Sequence, residues 1–196
     1  MKTLKLKKWA VLSLAILVSS AVFAGNYVVD ASNSTVSWNG KKVTGEHYGS
    51  IDIKEGSLEV IDGEVKGGTV VIDMQSIKNE DLTNEEYNQK LVGHLKSDDF
   101  FSVETHPIAS LVLTEVKKSG NSYTFTGDLT IKGTTKPVSF QATSTTQSGG
   151  VTLEGKLVID RSDYDVRYGS KSFFDNLGDK MIYDDFTLDF VVVAKK

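Results

Sequence analysis

Ser122-Tyr123-Thr124-Phe125-Thr126-Gly127-Asp128-Leu129-Thr130-Ile131 is the stretch that decides the fold. Tyr123, Phe125, Gly127, Leu129 and Ile131 fall on one side. Ser122, Thr124, Thr126, Asp128 and Thr130 fall on the other. A period of two with one apolar and one polar face predicts a half-buried antiparallel strand. The same period recurs downstream. Val151, Leu153, Gly155, Leu157 and Ile159 form one apolar face, and Phe186, Leu188, Phe190, Val192 and Ala194 another. Ala109, Leu111 and Leu113 precede the stretch, and Val138, Phe140 and Ala142 follow it. Lys118-Ser119-Gly120-Asn121, Lys132-Gly133-Thr134-Thr135 and Gln147-Ser148-Gly149-Gly150 separate these runs as short hairpin links. Pro137 is expected at the first position of its strand, where a missing N–H is tolerated.

Towards the N-terminus the period is less clean. Short strands are expected at Tyr27 to Asp30, around Val36 and Trp38, at Tyr48 to Ile53, Leu58 to Ile61 and Val65 to Met74. The Gly67-Gly68 pair suggests a bulge or bend where a sheet coils. One segment departs from strand periodicity. Thr83-Asn84-Glu85-Glu86 reads as a capping box with Thr83 as N-cap, and Tyr87, Leu91 and Leu95 recur every four residues. This predicts a short amphipathic helix ending near Ser97, packed by that stripe. A second helical turn is expected within Lys171 to Asp179. About eight strands at hairpin spacing point to a barrel or a sandwich, and periodicity does not choose between them.

The first 24 residues are expected to be a signal peptide and not part of the fold. Lys2, Lys5, Lys7 and Lys8 precede an apolar run from Trp9 to Val18, and Ala21-Val22-Phe23-Ala24 supplies the small-residue cleavage site. The apolar run is about ten residues, against roughly 20 needed to span a bilayer. The expected mature domain is residues 25–196, periplasmic or secreted, with no stable membrane insertion. It loses four of the 22 basic residues and none of the 26 acids, leaving 18 against 26 and a net charge of −8. Nucleic acid and anionic surfaces are poor partners for such a chain. The chain has no cysteine, which excludes disulfides, a thiol nucleophile and thiolate-bound metal.

Four segments carry a family resemblance. They are Tyr27-Val28-Val29-Asp30 with Ser34-Thr35-Val36-Ser37-Trp38, Leu95 to Val103 with His106-Pro107, Gly127 to Val138, and Asp160-Arg161-Ser162-Asp163-Tyr164. Together they resemble the YceI-like family of lipocalin-like, polyisoprenoid-binding envelope proteins, across about Tyr27 to Ala194. Asn33 stands where the family often has His, and Asp165 where Gly is common. The resemblance implies an all-β fold, an extended eight-stranded antiparallel lipocalin-like barrel with one short α-helix. It further implies a hydrophobic tunnel for a long amphiphilic lipid, often a homodimer, and no catalysis.

The residues expected to face inward and touch such a ligand are Trp38, Leu111, Leu113, Phe125, Leu129, Phe140, Leu153, Leu157, Phe186 and Phe190. From the residues alone they are expected to fill a solid core, as in most small barrels, and it is the resemblance that favours a tunnel. Phe100 and Phe101 cap an opening or anchor the helix. Arg161, beside Asp160 and Asp163, either meets a phosphate or carboxylate head group or forms an ion pair fixing the turn. His47, His94 and His106 show no metal-ligand spacing, and no nucleophile elbow or phosphate loop is present. No cofactor is expected beyond a bound lipid such as a polyisoprenoid, quinone or fatty acid derivative. The alternative reading is a ligand-free envelope stress or interaction protein with a packed barrel.

Overall fold

A computed structural model describes residues 24–120, 122–147 and 149–196. The expected signal peptide, apart from Ala24, lies outside the described residues. The strands are β1 (Ala24–Val29), β2 (Thr35–Lys42), β3 (Gly45–Ile61), β4 (Glu64–Asn79), β5 (Ile108–Ser119), β6 (Ser122–Ile131), β7 (Thr134–Gln147), β8 (Gly150–Asp160) and β9 (Ile182–Lys195). One helix, α1 (Glu85–Lys96), joins β4 to β5. Every pairing is antiparallel, and each strand from β2 to β9 pairs with the next. The ring closes because β9 also pairs with β2.

Nine strand segments make eight staves. β1 lies against Ser57–Ile61 of β3 and the last residues of β9, while β2 lies against the other end of β3 and the middle of β9. The two are halves of one stave, interrupted at Asp30–Ser34. The interruption is held by polar groups. The Asp30 carboxylate accepts from the Asn33 backbone N–H at 3.3 Å and from the Asn33 side chain at 2.8 Å. Ser34 Oγ donates to the Asp30 carbonyl at 2.7 Å and accepts from the Val193 N–H at 2.9 Å. β3 has 17 residues. At about 3.3 Å per residue it runs roughly 55 Å, so the barrel is much longer than wide.

Tight hairpins set the register. Ile61 pairs with Glu64, and Ile131 with Thr134, leaving the two-residue loops Asp62-Gly63 and Lys132-Gly133. All four loop residues have positive φ, between 49° and 78°. That is the type I′ geometry whose twist matches the flanking strands. Bulges then reverse the inward parity. In β3, Ile51 and Ile53 are buried at odd positions and Leu58 and Val60 at even ones. The register shifts between Ile53 and Glu55. This is why the N-terminal strands read poorly from sequence, and why the two expected runs in 48–61 are one strand.

Four local expectations are corrected. The N-cap of α1 is Asn84, not Thr83. The Asn84 side chain accepts from the Tyr87 N–H at 3.1 Å, which places Glu85 and Glu86 in the first turn beside the positive end of the helix dipole. The expected stripe is also shifted, since Tyr87 is 61% exposed and α1 leans on the barrel through Leu95. Pro137 lies inside β7, opposite Asp128 of β6, at a stretch not yet paired with β8, whose ladder starts at Gln141. Its missing N–H therefore needs no β8 partner. In place of a helical turn within 171–179, a 3-10 turn spans Gly178–Lys180, because positive φ at Asn176 and Gly178 breaks the helical path.

A buried knot fixes the chain entering α1. The Asn79 side chain accepts from the Leu82 N–H and the Asn88 side chain, both at 3.1 Å, and donates to the Tyr48 carbonyl at 3.1 Å. Asp81 meets His47 at 2.8 Å and accepts from the Tyr48 N–H at 3.0 Å. Asn84→Ala is expected to cost about 1 kcal/mol, with Thr83→Ala near neutral. Thermal unfolding of the two variants and amide exchange of α1 measure the difference.

Candidate functional site: the barrel interior

The inward faces do not meet at the axis. Two adjoining cavities lie inside the staves, about 140 Å³ at the α1 end and about 100 Å³ at mid-barrel. Val36, Ile72, Leu129 and Leu188 form walls of both, so the two lobes lie next to each other along the barrel. A cavity of about 150 Å³ lined by Leu, Ile and Phe stays dry and admits benzene, a size that the α1-end lobe approaches and the two lobes together exceed.

The lobes are walled by the residues singled out above. Trp38, Phe100, Phe101, Arg161 and Phe186 line the α1-end lobe. Leu111, Leu113, Phe125, Phe140, Leu153, Leu157 and Phe190 line the mid-barrel lobe, and Leu129 lines both. Several of these apolar side chains, among them Trp38, Leu111, Phe140, Phe186 and Phe190, stay partly exposed although they face inward. Each of them lines one of the two lobes. The opposite end differs. Val60, Val65, Tyr123, Val151 and Ala194 are buried beside the β3–β4, β5–β6 and β7–β8 hairpins and touch neither cavity. The passage is blind there, and its polar end is the α1 end.

Sequence reasoning missed other wall residues. Leu188 sits between Phe186 and Phe190 on the same face, so the alternation already contains it. Val70 and Ile72 belong to the unbroken apolar run Val70-Val71-Ile72, where no polar neighbour marks the inner face. Leu95 reaches the lobe from α1.

Phe100 and Phe101 lie between the helix and the barrel interior. Each lines the α1-end lobe, and each is tied to the helix by backbone bonds, Phe100 N–H to the Ser97 carbonyl at 3.0 Å and Phe101 N–H to the Leu95 carbonyl at 3.1 Å. Their rings meet edge-on at 5.1 Å, and Phe101 meets Phe186 at 6.3 Å.

Arg161 is 2% exposed, so it is not a free cation at a rim. Its Nε donates to the Tyr183 carbonyl at 3.2 Å, Nη1 to Val166 at 2.8 Å and Nη2 to Ile182 at 3.1 Å. Its ion pair is with Asp184 at 3.3 Å, not with the adjacent acids. Asp160 instead caps the following 3-10 turn, accepting from the Ser162 N–H at 2.8 Å. Asp184 is 9% exposed and accepts from Ser172 Oγ at 2.7 Å. Phe100 lies 5.4 Å from the guanidinium. Burial pulls the Arg161 pKa down, and the Asp184 and Asp160 charges oppose that pull. Asp165, two residues before Arg167, takes the left-handed conformation at φ 59° that a glycine would adopt freely.

The histidines stay apart. His47 pairs with Asp81, and His94 packs edge-on to Tyr168 at 4.4 Å. Among the described residues no three His, Asp or Glu side chains are gathered to hold a metal. No helix among them is long and apolar enough to cross a membrane.

BcnA of Burkholderia cenocepacia superposes with a TM-score of 0.63 at 26% identity, covering 85% of this chain and 99% of that one. A polyisoprenoid binding domain from Saccharophagus degradans superposes at 0.61, covering 86% and 97%. At 17% identity that likeness speaks for the fold alone. In sequence, a UPF0312 protein of Photorhabdus laumondii is 53% identical over 49 residues, 25% of this chain and 26% of that protein. Protein YceI of Escherichia coli O157:H7 is 35% identical over 82 residues, 38% and 42% respectively. These alignments therefore span well under half the length of the curated relatives. The profile of the YceI-like domain, by contrast, matches residues 27–194, every stave but the start of β1, and on that match the chain belongs to the YceI-like family.

Proposed function

We propose that this protein binds a long amphiphilic lipid, a polyisoprenoid or similar molecule, inside its barrel, for transport, storage or sequestration in the cell envelope. The observation that carries the reading is the two-lobed apolar passage, blind at one end and walled by inward strand faces that do not fill it. The Saccharophagus polyisoprenoid binding domain, which shares this fold, is consistent with the same reading. The basic, apolar and small-residue order of residues 1–24 motivates export to the periplasm or beyond.

Apolar burial is sufficient for the task. Each buried CH₂ contributes about 0.8 kcal/mol, so fifteen gross about 12 kcal/mol. Immobilising the ligand removes several kcal/mol of that, which leaves affinity near micromolar or tighter. No strong polar contact is required, and the protein acts by enclosure without a catalytic group.

Purified protein extracted with organic solvent is expected to release one lipid per chain, identified by mass spectrometry. Protein that returns no lipid, and takes up none when offered a polyprenol, is a ligand-free packed barrel.

A further inference from the structure

Resting on the reading that the passage holds a lipid, we infer that the Arg161–Asp184 pair selects the head group. The class taken is uncharged with a hydrogen-bond acceptor, an alcohol, ketone or amide, and not a phosphate or carboxylate. Arg161 is the one charged side chain on the walls of either lobe among the described residues. An arginine beside an apolar tunnel looks at first like an anion receptor. Its surroundings give it the opposite role.

Charge is the first reason. Asp184 stands 3.3 Å from Nη2, and the Asp160 carboxylate also acts on the guanidinium. The cluster is already balanced or slightly negative, so an anionic head would enter it without a counter-charge. Burying an unpaired anion in an apolar site is costly.

Donor geometry is the second. A phosphate or carboxylate is gripped by two parallel N–H groups on one side of the fork. The guanidinium has five N–H groups. Nε, Nη1 and Nη2 each already donate to a backbone carbonyl, those of Tyr183, Val166 and Ile182. No edge of the fork is wholly free, and Phe100 lies against the guanidinium. What remains suits a single acceptor atom. A neutral oxygen takes one such N–H without disturbing the cage, while the hydrocarbon tail extends into the mid-barrel lobe, where Ser110 is the sole polar residue on the wall among the described residues.

The test offers the full chain equimolar C40 polyprenol and C40 polyprenyl monophosphate in mixed micelles. The protein is re-isolated and extracted, and the bound ratio is measured by mass spectrometry against the micelle ratio. The alcohol is expected to be favoured at least tenfold. Asp184→Asn removes the carboxylate that pairs directly with the guanidinium, leaving only the Asp160 charge, and is expected to reduce that preference at least tenfold. Asp160→Asn removes the second carboxylate and serves if Asp184→Asn does not fold. Equal uptake, or preference for the phosphate, by the unaltered protein overturns the inference. So does an unchanged ratio in the folded acid-to-amide variant. Recovery of neither lipid overturns the carrier reading instead.

Discussion

Arg161→Met is expected to lower folding stability by about 3–5 kcal/mol, the range for breaking a buried ion pair from one side. At a urea slope of about 2 kcal/mol/M this moves the midpoint down by about 2 M. Methionine fills a similar length, so packing loss is the smaller part. The larger part is what the side chain leaves behind. Asp184, 9% exposed, loses its counter-ion and keeps only the Ser172 hydroxyl. The carbonyls of Val166, Ile182 and Tyr183 lose the donor that the structure gives them. An orphaned buried polar group costs about 1–3 kcal/mol.

Two companion variants separate charge from geometry. Arg161→Lys keeps the charge but replaces a planar fork by a point charge that does not reach three carbonyls in different directions. It is expected to fall between the wild type and Arg161→Met. Arg161→Met with Asp184→Leu removes both charges, which for a simple ion pair is often neutral or stabilising. Here recovery is expected to be partial, because the carbonyls remain bare. A urea midpoint for Arg161→Met within 0.5 M of the wild type, about 1 kcal/mol at that slope, would show that the cage contributes little.

The same residue shows where sequence reading stops. The alternation of Tyr123, Phe125, Leu129 and Ile131 was enough to place β6, because its ladder with β7 runs without a register shift from Ser122 to Ile131. The ten wall residues on strands, Trp38 to Phe190 without Phe100, Phe101 and Arg161, were legible for the same reason. Their faces are set by parity alone. β3 and β4 were not legible in full, because each bulge shifts parity by one and no local residue announces it. Asn84 was displaced by Thr83 because both residue types cap, and the choice depends on which side chain reaches the Tyr87 N–H. Arg161 was recognisable as important but not in role. Its partners Val166, Ile182, Tyr183 and Asp184 lie up to 23 residues away, on a loop and on β9, and three of its four contacts are backbone carbonyls. Backbone acceptors leave no trace in composition. Nor does the unfilled axis, since a tunnel wall and a solid core have the same alternation.

That last ambiguity is answered by comparing two phenylalanines across mid-barrel. Phe125 is 0% exposed, with Tyr123 stacked at 5.6 Å on one side and Phe140 at 5.5 Å on the other. Phe190 is partly exposed and meets Phe140 edge-on at 5.7 Å. Phe125→Ala empties a space bounded closely by other rings and is expected to cost about 3–5 kcal/mol. Phe190→Ala removes a side chain that already faces a void, so fewer packing contacts are forfeited and about 1–2 kcal/mol is expected. The lipid responds in the other order. Phe190→Ala widens the mid-barrel lobe and strips a wall from the tail, so bound lipid is expected to fall several-fold while the protein stays folded at 25 °C. Urea unfolding gives the first comparison, and solvent extraction with mass spectrometry the second. If the axis were filled, the two truncations would cost alike and neither would change lipid content except by unfolding. A Phe190→Ala protein as damaged as Phe125→Ala therefore counts against the tunnel. A stable one with depleted lipid ties the unfilled axis to the ligand by energetics as well as by shape.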